Sequence, residues 1–262
     1  MSETKTPEQM AEKEVNKSLG KSIARRQLEI KKHQASIKKL EKEIAKIKSG
    51  ELVPEESDSS VFSSDTVVAF LLDESGSMDM CLKETISGFN EYVQSLKKTK
   101  DKVFLTLTKF NSVSTTIVYK NKEIHNVSKL NEETYIPDGM TPLYDAIGKT
   151  ISALTKELTN VLKPKVLFVV MTDGQENSSG EYNLEAIKKL IKRKETEDWS
   201  FLYMGADQDA WLNSKDMGFA KGNVLSFASA NVRGTMARAG GMSASYANSK
   251  KRRTNVFFVG SK

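Results

Sequence analysis

The sequence predicts an α/β protein. Its core is a doubly wound (Rossmann-like), mostly parallel sheet with one antiparallel edge strand and helices on both faces, and an N-terminal helical coiled-coil arm precedes it. Three observations carry this reading. All 20 aromatic residues lie from Phe62 onward; aromatics supply much of the buried area of a core, so the segment before Phe62 does not build one. From residue 65, short apolar β-rich runs alternate with amphipathic helical patterns, as crossover-connected parallel strands require. Before it, isoleucine recurs at heptad spacing at Ile23, Ile30, Ile37 and Ile44.

Residues 1–13 read as a flexible N-terminus and 14–49 as the helical arm. The isoleucines form the a column of a coiled coil, and Arg26, His33, Leu40 and Ile47 form the d column, apolar only in its second half. Gly50 stops the helix and Pro54 cannot continue it. Such an arm oligomerises the protein or docks a partner; the alternative is a charged helix lying on its own domain. Residues 50–64 form a polar linker, and 65–260 form the domain.

Within the domain, Val67–Leu72, Val103–Phe110, Val166–Met171 and Phe201–Met204 read as buried strands. Leu82, Ile86, Phe89, Val93 and Leu96 share one helical face, as do Leu143, Ile147, Ile151, Leu154 and Leu158. A third helix covers about 183–195, with Leu184, Ile187, Leu190 and Ile191 inward. Val103–Phe110 and Thr115–Lys120 are too close for a parallel crossover, so they form a hairpin and supply the antiparallel edge. A last strand is expected at Val256–Val259, after a solvated turn at Lys250, Lys251, Arg252 and Arg253.

Composition narrows the function classes. The net charge is +6 with both signs interspersed, a mild bias that does not point to nucleic acid. No apolar run approaches the ~20 residues of a membrane span. The single cysteine, Cys81, excludes an intrachain disulfide and a CxxC site. It is expected as a buried, reduced thiol in a cytoplasm or in a particle assembled there. Two histidines leave little material for His-based catalysis or zinc, and there is no Gly-rich P-loop. The expectation is a non-enzymatic protein with no catalytic residues.

Ligands of such sheets bind at the carboxyl ends of the strands. Two strands end in oxygen-rich loops there: VVAFLLDESGSM delivers Asp73, Ser75 and Ser77, and VLFVVMTDGQENSS delivers Asp173. A third loop, PDGMTPLYDA, places Thr141 before Pro142, an N-cap pattern. Two carboxylates and three hydroxyls are hard oxygen donors and suit Mg²⁺, or Mn²⁺, over zinc or copper. They neutralise one divalent ion without quenching its pull on an external acid. Gly76 is expected to permit the turn that returns Ser77 to the metal.

In these residues the chain resembles the von Willebrand factor A domain family. That family's metal-ion-dependent adhesion site reads Asp-x-Ser-x-Ser, then a distant Thr, then an Asp after a later strand. Asp73-Glu74-Ser75-Gly76-Ser77, Thr141 and Asp173 match in order, and the resemblance covers about 65–260. GMTPLYDAIG, MTDGQENSS and the stretch from FLYMGADQDAW to GTMARAGGMSASY look like stand-alone members from bacteria and phages. The resemblance implies that Ser75, Ser77 and Thr141 meet the metal through hydroxyls and that Asp73 and Asp173 act directly or through water. The remaining coordination position falls to water or a partner's Asp or Glu.

The expected function is therefore a metal-dependent protein-binding module, with a structural or assembly role built on the coiled coil as the alternative. Glu74, Glu176 and Asp207 are candidate partner contacts, Glu74 facing solvent or partner and Asp207 also serving as N-cap of a helix near Gln208. Trp211 is expected in the core.

Overall fold

The first strand, β1 (Thr66–Asp73), is buried along its whole length, which is why its sequence is one apolar run with no polar alternation. Two more central strands, β4 (Lys165–Thr172) and β5 (Trp199–Ala206), share this character. The other strands are β2 (Val103–Phe110), β3 (Thr115–Glu123) and β6 (Val224–Phe227). All six join one sheet in the order β3-β2-β1-β4-β5-β6. Every pairing is parallel except β2–β3, the hairpin the short loop requires. This computed structural model describes residues 65–160, 164–206 and 210–250, together with Gln27, Gln34 and Lys38.

Five helices complete the described domain: α1 (Leu82–Leu96), α2 (Leu143–Glu157), α3 (Leu184–Thr196), α4 (Ala210–Asp216) and α5 (Val232–Asn248). Two apolar layers result. Phe70 and Leu72 of β1 meet Phe89, Tyr92 and Leu96 of α1 and Val232, Met236 and Ala239 of α5. The intervening Val67, Ala69 and Leu71 meet Ile147 and Ile151 of α2 and Ile187 and Ile191 of α3. Phe70 stands edge-on to Phe89 and Tyr92, with ring centroids 5.3 and 4.9 Å away.

Two elements were not legible. Strand β6 is only four residues long. Helix α5 lacks the apolar stripe that reveals an amphipathic helix because it packs through small residues. A Cβ on Gly240 would lie 2.8 Å from the Tyr92 Cα and 3.1 Å from the Ser95 Cβ. The Tyr92 hydroxyl donates to Ser243 Oγ at 2.9 Å across the same seam. In an unconstrained helix Gly→Ala gains roughly 1 kcal/mol. Here Gly240→Ala should instead destabilise by about 1–3 kcal/mol, because two backbones must separate. Urea unfolding reads the sign directly.

The chain divides into units Met1–Asp58 and Ser59–Lys262. In the first, Gln27, Gln34 and Lys38 are helical and exposed, and all three lie outside the a and d columns. The rest of the predicted arm at 14–49, the N-terminus at 1–13, the linker at 50–64 and the strand at Val256–Val259 lie outside the described residues. No described helix is long and apolar enough to cross a membrane.

Candidate metal-binding edge

Parallel pairing of β1 with β4 brings the carboxyl ends of both strands to one edge, with Leu72 level with Met171. Asp73 therefore ends β1 beside Thr172. Its carboxylate is fully buried; it accepts from Ser75 N at 2.7 Å and from Thr172 Oγ1 at 2.5 Å. Burial pushes the Asp73 carboxyl up, the bonds from Thr172 and Ser75 pull it part of the way back and the charge of Asp173 adds to the rise, leaving it raised to about 6. Tyr135, from a distant loop, donates its hydroxyl to the Asp73 carbonyl at 2.5 Å.

The chain then enters a 3-10 turn, Gly76–Cys81, with Ser75 at its N-cap. Ser75 Oγ and Ser77 Oγ are 3.2 Å apart, and Ser77 Oγ donates to Asp173 Oδ1 at 2.7 Å. Asp73, Ser75, Ser77 and Asp173 thus lie on one continuous chain of hydrogen bonds. Gly76 is not left-handed; the left-handed glycine of this edge is Gly139, at φ 75. Gly76 N donates to the Gly139 carbonyl at 2.9 Å and Asp138 N to the Glu74 carbonyl at 2.9 Å, which ties the loop carrying Thr141 to the loop carrying the serines.

Thr141 is 2% exposed. Its N–H donates to Asn177 Oδ1 at 2.8 Å, and Asn177 N returns a bond to its carbonyl at 3.2 Å. A Cβ on Gly174 would lie 2.9 Å from Thr141 Oγ1, so the hydroxyl lies directly against the chain following Asp173. All five predicted ligands come together, from three interlocked loops.

Thr141 is not the side-chain cap of α2. The N-cap position is Pro142, without a side-chain cap bond. Glu176, from the loop after β4, does that work. Its Oε2 accepts from Tyr144 N at 2.8 Å and Ser179 Oγ at 2.7 Å, and its Oε1 from Ser178 N at 2.9 Å and Ser179 N at 2.7 Å. The same substitution of roles leaves the Thr141 hydroxyl available to the edge. Asp145 grips that loop in return; burial pushes its carboxyl up, but the N–H groups of Tyr182, Gly180 and Glu181 hold it below the usual carboxylate range.

Glu74 does not face solvent or a partner. It is 6% exposed, and its Oε1 accepts from Lys109 Nζ at 2.6 Å and Ile136 N at 2.7 Å. Glu176, with both oxygens engaged as above, is likewise a structural tie rather than a displayed contact. Asp207 and the side chain of Trp211 lie outside the described residues. Cys81 is a buried free thiol, as expected, taking a bond from Thr85 Oγ1 at 3.5 Å.

Thr172, Tyr135, Asn177 and Lys109 were missed. Thr172 could have been found, because it ends a strand beside a predicted ligand. Asn177 lies four residues after Asp173 in the same oxygen-rich loop and could have been found as well; Tyr135 and Lys109 act from a distant loop and strand with no local signal. Nor did the sequence reading single out the apolar side chains at this edge. Met80, Val113 and Met140 are among the exposed large hydrophobics. Ser112 N donates to the Met140 carbonyl at 2.9 Å, holding two of them on adjoining loops.

Among the described residues, no group of three or more His, Cys, Asp or Glu could hold a metal. The edge instead offers two carboxylates and three hydroxyls, a donor set that fits a hard divalent cation and leaves that cation's charge uncancelled by any third acid.

The family model for the von Willebrand factor type A domain matches residues 68–237 of the 262. Among solved structures, proximal thread matrix protein 1 of the mussel byssus gives a TM-score of 0.50 at 15% identity, covering 70% of this chain and 47% of that one. A von Willebrand factor type A protein from Catenulispora acidiphila gives 0.47 at 13%, covering 69% and 43%. The manganese-loaded TRAP protein of Plasmodium vivax gives 0.48 at 16%, covering 69% and 75%. The chain spans less than half the length of the first two, and these likenesses concern the fold alone. No curated protein sequence matches the chain.

Proposed function

The chain belongs to the von Willebrand factor type A domain family, and from that premise we propose that it is a non-enzymatic, metal-dependent protein-binding module. Domains of this family often bind a divalent metal and mediate protein interactions. One Mg²⁺ or Mn²⁺ ion would be held by Asp73, Ser75, Ser77, Thr141 and Asp173, and would supply positive charge to which an external carboxylate binds. The carrying observation is the hydrogen-bond chain from Asp73 through the serines to Asp173, which gathers four of these oxygen-bearing residues at one edge.

The chain's own residues then set specificity. Glu74 and Glu176 are occupied internally, so neither competes for the cation. Met80, Val113 and Met140 give the edge an apolar rim. The partner on this reading presents an Asp or Glu flanked by apolar side chains, whose contacts with this rim would exclude water from the bridged carboxylate.

A pull-down from the source cell's lysate tests the proposal. A specific prey should be retained in Mg²⁺, and lost both in EDTA and with Asp173→Ala. Met140→Ser should weaken retention while leaving Mg²⁺ affinity unchanged. Retention of the same prey in EDTA and by Asp173→Ala would overturn metal-bridged binding.

A further inference from the structure

Away from the metal edge, a cavity of about 230 Å³ opens between the β2–β3 hairpin and α2. We propose that it binds a small neutral molecule with a compact apolar body and one head group that both donates and accepts a hydrogen bond, as an alcohol or a primary amide does.

The cavity is written into the sequence of its walls. Leu105 and Leu107 of β2 fill the layer beneath α1 and α5. On the opposite face β2 presents Thr106 and Thr108, and α2 answers with Thr150 and Ala153, so small side chains meet where large ones would close the gap. The β2–β3 pairing shifts register between Leu105 and Leu107 and again between Leu107 and Thr108, on the same wall. Such bulges recur beside binding sites, where they re-aim side chains.

Two hydroxyls here have no partner. Thr108 is 2% and Thr150 6% exposed, and both hydroxyls are buried without a hydrogen bond. Among the described residues the hydroxyls of Thr66 and Ser178 also lack a partner, but only here do two such residues line one cavity. Thr106 Oγ1 is bonded to Asn121 Oδ1 at 3.1 Å. Thr155 and Thr159 give their hydroxyls to the carbonyls one turn back, at 2.7 and 2.9 Å. Thr150, on the same helix, does not make that bond. An unsatisfied buried hydroxyl is costly; each of these lies just behind the cavity wall, and a turn of either threonine side chain toward a ligand head group would remove the penalty.

The rim selects for neutrality. Lys149 is 2.7 Å from Glu181, and Glu157 is 3.1 Å from Lys120 and accepts from Asn121 Nδ2 at 3.0 Å. Both rim charges are already paired and opposite in sign. Leu154 and the half-exposed Ile117 supply the apolar contact. The volume lies just below the range of about 300–1,000 Å³ typical of drug-sized ligands, so the occupant is small.

The full chain, ¹⁵N-labelled, is titrated with cyclohexylmethanol, cyclohexanecarboxamide and methylcyclohexane. The alcohol and the amide should give saturable shifts confined to the amides of β2, β3 and α2 around the cavity, with Kd roughly millimolar or tighter for ligands of this size. The hydrocarbon should bind at least about tenfold more weakly, one good hydrogen bond's difference. Thr108→Val with Thr150→Val should bring the alcohol down to the hydrocarbon's affinity while preserving the fold. Ala153→Leu, a helix-compatible filling of the cavity, should abolish binding of all three. No saturable shift with any probe, or undiminished alcohol binding by the double valine variant, would overturn the proposal.

Discussion

Asp173→Ala is expected to weaken Mg²⁺ binding by more than about 100-fold, since removing even a residue that only supports a ligand typically costs 10- to 100-fold. Asp173 is one of the two carboxylates among the proposed ligands, and it also anchors Ser77, whose Oγ donates to it at 2.7 Å. Its loss removes a negative charge and releases a hydroxyl donor in one step. The folded domain should tolerate this well. Asp173 is only half-buried, and its charge is one cause of the raised Asp73 carboxyl, so its removal relieves a like-charge contact. Two measurements separate these effects. At 100 times its dissociation constant, Mg²⁺ stabilises the wild-type chain by about 2.7 kcal/mol, which is roughly 5–10 °C for a domain near 200 residues. Asp173→Ala should lose that shift while its melting temperature in EDTA stays close to wild type. A full Mg²⁺ shift in the variant would remove the cation from this edge.

The meeting of the proposed ligands at one edge was legible because most of them sit where local sequence announces it. Asp73 and Asp173 follow unbroken apolar runs, and a strand buried on both faces can end only at the sheet edge. The serines are two and four residues from Asp73, within one turn. What was not legible depends on partners remote in sequence. Thr141 followed by Pro142 has the form of a helix cap, yet Glu176, 32 residues from Tyr144, supplies the bond instead. Glu74 looked exposed because it lies in a polar loop; its fate is set by Lys109, 35 residues on. Helix α5 was hidden for a different reason. Its seam with α1 is made by close backbone approach at Gly240, and such packing leaves no apolar periodicity to read. The three amphipathic helices, which bury a stripe of large side chains, were placed to within a residue or two.

Replacing Glu74 by alanine should cost about 3–5 kcal/mol of stability, the penalty for leaving one member of a buried ion pair alone. Glu74 and Lys109 are both more than nine-tenths buried and 2.6 Å apart. Without the carboxylate, the Lys109 ammonium retains the Thr134 carbonyl at 2.8 Å, which cannot neutralise it. Ile136 N would lose its acceptor as well. Urea unfolding of three variants distinguishes the contributions. Glu74→Gln keeps an acceptor for Ile136 N and should lose less than Glu74→Ala. Glu74→Leu combined with Lys109→Met removes both charges and should recover most of the loss, because a buried pair replaced by apolar groups is often neutral or better. The consequence reaches the metal edge through geometry. The backbone of Glu74 holds Asp138, and its side chain holds Ile136; both lie on the loop that delivers Thr141. Glu74→Ala should therefore also loosen Mg²⁺ binding, although no atom of Glu74 is among the proposed ligands. Had Glu74 been a displayed partner contact, the same substitution would leave stability and Mg²⁺ affinity intact and remove only the partner. The two readings of this one carboxylate thus differ in whether stability and Mg²⁺ affinity fall at all, and the buried position of its side chain decides which is expected.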